Sequence, residues 1–125
     1  MNLANNLARV QNALTAQHPS VILPATKLNN SLVKILWEEG YITRYKYKSS
    51  KKLKVDFKYF QGKNTIQEIR IISKPSRRFF LKIKEIKQLQ YQNIATIVVS
   101  TSKGLRTSYQ ACKLGIGGEI LCIIF

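Results

Sequence analysis

Apolar residues recur along this chain with two distinct periods. Leu3, Leu7, Val10 and Leu14 fall on one face of a helix, with Asn5, Asn6, Arg9 and Gln11 around the rest of it. Val21-Ile22-Leu23 is a short buried strand stopped by Pro24, which has no donor for a sheet ladder. Thr26 suits a helix N-cap, and Leu28, Leu32, Ile35 and Leu36 form the stripe behind it. Gly40 follows Glu38-Glu39 where the left-handed residue past a helix end belongs, so a helix is predicted over 27–39.

From Tyr41 the period becomes two. Tyr41, Thr43, Tyr45 and Tyr47 share one face of a strand, with Arg44, Lys46 and Lys48 on the other. After a turn over 49–52, Leu53, Val55, Phe57 and Tyr59 alternate with Lys54, Asp56 and Lys58. A second turn over 61–64 leads into a third strand through Ile66, Ile69, Ile71 and Ile72. The first half is thus helix–strand–helix followed by an antiparallel meander. Lys74-Pro75-Ser76 marks the domain boundary, because Pro75 follows a completed strand. Residues 1–74 form an N-terminal α/β domain and 75–125 a small β-rich domain with short helices. In the latter, 77–81 is extended, Ile83, Ile86 and Leu89 suit one short helix, and 94–99 is a buried strand. A helical turn or two over 108–113 and a closing strand over 119–125 complete it.

Composition narrows the partner. Apolar residues make up 45% of the 125, enough for a packed core in one domain or two very small ones. Lys and Arg total 21 against 6 acids, a formal net charge of +15, which calls for a polyanion: nucleic acid or an anionic membrane surface. The apolar runs are strand-sized, well short of the roughly 20 residues of a membrane span. Cys112 and Cys122 give neither metal spacing nor a disulfide framework and read as reduced thiols, Cys122 within a strand. His18 has no companion ligands and reads as a loop residue. No metal and no cofactor is expected. One His and one Asp do not make a nucleophilic triad, and the glutamates suggest no carboxylate pair, so the chain reads as a binder and not an enzyme.

The densest candidate chemistry lies near the C-terminus. Val98-Val99 runs into Ser100-Thr101-Ser102-Lys103-Gly104, and Gly115-Ile116-Gly117-Gly118 turns into a second apolar strand beginning at Glu119. Hydroxyls rotate to donate to phosphate or ribose oxygens, Lys103 adds a mobile charge, and Gly104 permits positive φ. The same residues would also make an ordinary polar turn, with Thr107 or Ser108 as a helix N-cap. The Gly-four-residues-Gly-Lys-Ser/Thr spacing of a phosphate loop is absent. The glycine cluster suits a turn with special backbone angles. Glu119 can accept from a nucleobase amino group or hold Lys103 or Lys113. Arg77, Arg78, Phe79 and Phe80 set guanidinium groups beside aromatics, which suits stacking on unpaired bases. Strand alternation requires one of the two phenylalanines to face the core.

The run from Val98 to Thr107, followed by 114–122, closely resembles the C-terminal signature of the bacterial-type small-subunit ribosomal protein numbered eight. Leu7-Ala8-Arg9-Val10-Gln11-Asn12, Thr26-Lys27-Leu28, the segment from Ile35 to Ile42, Lys58-Tyr59 and Ser73-Lys74-Pro75 resemble further motifs of that family, so the likeness covers nearly the whole chain. It implies an α+β fold of two small packed domains. The implied function is that of a structural constituent of the small subunit, which binds the central domain of its ribosomal RNA and supports assembly. Neighbouring ribosomal proteins are implied partners. A free regulator acting on messenger RNA, its own included, is the alternative, and no membrane role is implied. The resemblance places Ser100, Thr101, Ser102, Lys103 and Gly104 on RNA with Gly118 and Glu119 nearby. It adds Arg9, Asn12, Thr26 and Lys27 from the N-terminal motifs, and Arg78 and Phe80 join them from the arginine–aromatic pairing.

Against the family pattern, Gln11 replaces a second Arg, Ser76 a Gly, Phe80 a Tyr and Ser108 an Asp, while Asn93-Ile94-Ala95 replaces a Gly-flanked segment. The central hydroxyl loop is untouched. The matching begins within the first few residues, which leaves no room for a presequence. Usage of Ile, Lys, Asn and Tyr suits an A/T-rich gene. The expected location is a mitochondrial ribosome, organelle-encoded, with a plastid or bacterial ribosome as the alternative.

Overall fold

A computed structural model of the chain describes residues 3–73, 76–92 and 95–125. Among these residues the fold is α+β, with four helices and antiparallel sheets, and the chain divides into two compact units, Met1–Gln67 and Glu68–Phe125.

The first unit runs α1 (Leu3–Thr15), β1 (Ser20–Pro24), α2 (Lys27–Glu38), β2 (Ile42–Ser49) and β3 (Lys52–Phe57), then a small hairpin of β4 (Tyr59–Phe60) and β5 (Lys63–Asn64). Its main sheet has the order β1-β3-β2, antiparallel throughout. Leu28 in the first turn of α2 is 38% exposed, but most of the predicted helical stripes are buried: Leu7, Val10 and Leu14 on α1, and Leu32, Ile35 and Leu36 on α2. They share the core with Leu23, Ile42, Leu53, Val55 and Phe57 of the strands. Each such side chain contributes about 1.5–3 kcal/mol on leaving water. Thr26 caps α2 by accepting from the Asn29 N–H at 3.2 Å. At the other end the Tyr41 N–H donates to Leu36 C=O at 2.9 Å around Gly40, whose φ is +81°. One polar pair is buried in this core: Asn29 donates to Pro24 C=O at 2.8 Å and accepts from the Asn6 amide at 3.1 Å.

Period two survives in β2 between two irregularities, at Ile42/Arg44 and at Tyr47/Ser49. The register slips between Ile42 and Arg44, so Ile42 stands opposite Phe57 while Tyr45 and Tyr47 stand opposite Val55 and Leu53. The inserted residue puts Ile42 on the same face as the tyrosines and buries it there, where uninterrupted alternation would have sent it to the other face.

The second unit contains β6 (Ile69–Ile71), β7 (Phe80–Leu81), α3 (Ile83–Gln92), β8 (Thr96–Thr101), β9 (Gly104–Thr107), α4 (Ser108–Leu114) and β10 (Gly118–Ile124). Its sheet has the order β6-β10-β8-β9, and β7 pairs with β10 beyond β6. Ile86, Ile97, Val99, Ile120 and Ile123 form the core on the helix-bearing face.

Two expectations change here. The strand predicted over 66–72 shortens to β6, and instead of closing the N-terminal meander it pairs with β10. Ile69 stands opposite Ile124 and Ile71 opposite Cys122, apolar partners that the meander does not offer. The division of the chain therefore follows Gln67, and the boundary expected at Lys74-Pro75 lies outside the described residues. The start of the strand predicted at Ile94 lies outside them as well. The second change is β9, which fills what looked like a polar connection.

Candidate RNA interface

The hydroxyl run of the sequence folds as a hairpin. β8 and β9 pair from Val98↔Thr107 to Thr101↔Gly104, leaving Ser102 and Lys103 as the two-residue turn. Gly104 takes φ +97°, a conformation that a Cβ would strain. The Thr101 hydroxyl donates to Gly104 C=O at 2.7 Å and accepts from the Lys103 N–H at 3.2 Å. Thr101 therefore holds the turn together, and the side chains exposed at its tip are Ser102 and Lys103. Thr107 caps α4 in a reciprocal box with Gln110, each backbone N–H donating to the other's side chain at 3.2 Å. Ser108 instead donates to the Gln90 side chain.

Beside this hairpin the register builds a row across three strands. Ser100 stands opposite Glu119, and Glu119 stands opposite Phe80. Neighbouring Val99, Ile120 and Leu81 belong to the helix-side core, so Ser100, Glu119 and Phe80 face the other way. Arg78 joins the row through a 3.4 Å ion pair with Glu119, whose side chain is 13% exposed. Glu119 thus holds a guanidinium in place, a partner that sequence reasoning had not weighed. Phe80 is 65% exposed. Its neighbour Phe79 is 46% exposed, so neither phenylalanine enters the core as alternation required. The reason is that only Phe80–Leu81 lies in the sheet, and Leu81 takes the inward position.

The glycines owe their place to sterics. Neither Gly117 nor Gly118 has positive φ. A Cβ on Gly118 would sit 2.2 Å from Ser100 O, and one on Gly117 would sit 2.6 Å from Leu81 O. The bare backbone of β10 lets β8 and β7 close on it, which sets the spacing of the row.

In the first unit, Arg9 lies on the solvent side of α1, and its guanidinium donates to Ile22 C=O at 3.3 Å. With Asn12, His18 and Ser20 it lines a hollow of about 630 Å³ between α1 and β1. Thr26 and Lys27 start α2, with the Thr26 hydroxyl committed to its cap. Arg9 and Asn12 are therefore brought together, and Thr26 and Lys27 form a second position. A further basic surface is the β2–β3 hairpin. Lys46 stands opposite Lys54, and Lys51 and Lys52 are exposed at its end. Like charges directly opposite repel, and a bound polyanion relieves that repulsion. Asp56 offsets part of the charge through Arg44 at 2.7 Å and Lys54 at 4.0 Å.

Among the described residues no three metal-ligating side chains cluster, and no helix is long and apolar enough to cross a membrane. Cys112 and Cys122 are both unpaired thiols; burial pushes the Cys122 thiol up to about 12.

The fold and these surfaces define a small basic α+β protein built to bind. The chain belongs to the Ribosomal protein S8 family, whose family model matches residues 2–125. It is 36% identical over 125 residues to the small ribosomal subunit protein uS8 of Pseudomonas aeruginosa (strain UCBPP-PA14), covering 98% of this chain and 95% of that protein. It is 35% identical over 124 residues, with the same shares covered, to the uS8 of Buchnera aphidicola subsp. Schizaphis graminum. The family is one of small-subunit ribosomal components and not of enzymes, and these relatives are bacterial.

Proposed function

We propose that this chain binds small-subunit ribosomal RNA directly, in its central domain, and helps that domain assemble. The observation that carries the reading is the row Ser100–Glu119–Phe80 with Arg78, flanked by the exposed Ser102-Lys103 turn, on a chain of net charge +15. It combines what shape-led recognition of RNA uses: hydroxyl donors, an acid that can accept from a base, an exposed aromatic ring and fixed cations. Arg9, Asn12 and Lys27 supply further contacts from the first unit, and neighbouring ribosomal proteins are the other partners.

Binding of the purified chain to its small-subunit ribosomal RNA tests this. Ser102→Ala removes one exposed hydroxyl and weakens specific binding by about 1–2 kcal/mol. Removing Lys51 or Lys52 lowers affinity for all RNAs alike and flattens the salt dependence. A folded Ser102→Ala chain of undiminished affinity would overturn the loop's role. Composition favours a mitochondrial ribosome, while bacterial relatives suit a bacterial one as well. Sedimentation with organellar or cytoplasmic subunits separates the two.

A further inference from the structure

The hydroxyl row occupies one face of the second unit's sheet, and the opposite, helix-bearing face carries a feature it does not explain. Between β6 and the strand leading into β7 lies a hollow of about 340 Å³ lined by Arg70, Ile71, Ile72, Arg77 and Phe79. Arg70 stands opposite Ile123 and Ile72 packs against the helix-side core, while Ile71 stands opposite Cys122, so the hollow opens at the sheet edge toward the helix side. Arg77 and Phe79 line the hollow, while Arg78 pairs with Glu119 and Phe80 stands opposite Glu119 in the hydroxyl row, so one short segment serves both places.

The groups around it are held in place. The Ser73 hydroxyl accepts from the Phe79 N–H at 2.9 Å and donates to Phe79 C=O at 3.5 Å, and that carbonyl also accepts from the Ile120 N–H at 2.9 Å. The backbone of Phe79 is thus held on both sides, and its ring, nearly half exposed, lines the hollow beside Ile71 and Ile72. The Arg70 guanidinium lies 5.1 Å from the centre of the Phe125 ring and 3.5 Å from Glu68, a solvent-exposed pair that offsets little of its charge. Among the described residues no carboxylate pairs with Arg77.

We infer that this hollow is a second nucleotide site, which takes one unpaired nucleotide of the bound RNA with its base against Phe79 and its phosphate between Arg70 and Arg77. The volume suits one nucleotide, and the site has both things a single-stranded segment needs: a π-face and paired cations. The inference rests on the RNA-binding reading and adds a contact separate from the hydroxyl hairpin.

The test is ultraviolet crosslinking of the full chain to purified small-subunit ribosomal RNA, with nucleotide-bearing peptides located by mass spectrometry and affinities measured in parallel. A nucleotide adduct within residues 77–81 is expected. Phe79→Ala removes it and weakens binding about tenfold, the scale of one lost stack, while Phe79→Tyr retains both. Arg77→Gln lowers affinity and reduces the salt slope by about 1. Arg77 is exposed, so this variant decides the matter even if circular dichroism shows that Phe79→Ala disturbs the fold. If Ser102→Ala weakens binding while both slot variants leave affinity and adducts unchanged, the slot is refuted and the RNA reading stands. If the wild-type chain binds no RNA, both fall.

Discussion

Gly118→Ala tests how the fold sets the spacing of the candidate interface. The added Cβ would lie 2.2 Å from Ser100 O, 3.0 Å from Ser100 C and 3.1 Å from Val99 Cγ1. The first two are backbone atoms of a buried strand, so no flexible side chain can swing aside. Side-chain carbons essentially never come closer than 3.0 Å, so β8 and β10 must part by about 0.8 Å at this point. A backbone hydrogen bond near 2.9 Å stretched that far is lost, a net of about 0.5–1.5 kcal/mol. Overpacking adds about 1–3 kcal/mol. Alanine's smaller unfolded-state entropy returns about 0.4–1 kcal/mol. The net is a destabilisation of about 2 kcal/mol, a fall of about 1 M in a urea midpoint for a slope of about 2 kcal/mol/M. Unfolding should be followed by far-ultraviolet circular dichroism, because the single tryptophan, Trp37, lies in the first unit and reports on the wrong sheet. RNA affinity should fall in the same variant even where it is fully folded, because Ser100 shifts relative to Glu119 and Phe80. Gly117→Ala meets Leu81 O at 2.6 Å and should show a smaller loss. An unchanged midpoint together with unchanged RNA affinity for Gly118→Ala would refute the steric reasoning.

Other consequences follow from the two cores. Asn29→Ala leaves the buried Asn6 amide without its partner and takes one donor from the Pro24 carbonyl, which keeps the Thr26 N–H at 2.9 Å, and should lower the stability of the first unit by about 1–3 kcal/mol in denaturant titrations. The Cys122 thiol should resist a thiol-specific reagent at pH 8 in the folded chain and react on unfolding. Its folded pKa of about 12 lies above the unfolded 9.0, so the unfolded chain ionises first. Stability from this group is full below pH 9 and declines from there toward pH 12, and Cys122→Ala should flatten that part of a melting-temperature profile.

Local signals carried much of the fold. The second helix was legible from end to end because its cap, stripe and terminal glycine all lie within a dozen or so consecutive residues. What stayed hidden depends on distant partners. Nothing within 66–72 says that Ile69 and Ile71 will meet Ile124 and Cys122 and not the N-terminal strands. β9 was missed for a different reason. Leu105 and Thr107 alternate with Arg106 after a two-residue turn, a hairpin signal obscured by the polar loop reading.

The candidate interface was legible as residue types but not as roles. Ser102 and Lys103 stand exposed as the hydroxyl run suggested, yet Thr101 is turned inward to its own hairpin. The glycines at 117 and 118 looked like turn formers, and only the strand spacing shows that they make room for backbone. The two exposed phenylalanines were hidden by the alternation rule itself, which applies to residues within the ladder and not to Phe79 just outside it.

The central claim meets its most direct test in crosslinking and sequencing of the RNA bound to this chain in cell extract, wild type beside Ser102→Ala. Recovery of one central-domain segment of small-subunit ribosomal RNA, lost on that substitution, is the predicted result. Recovery of dispersed messenger RNAs, indifferent to the substitution, would contradict it.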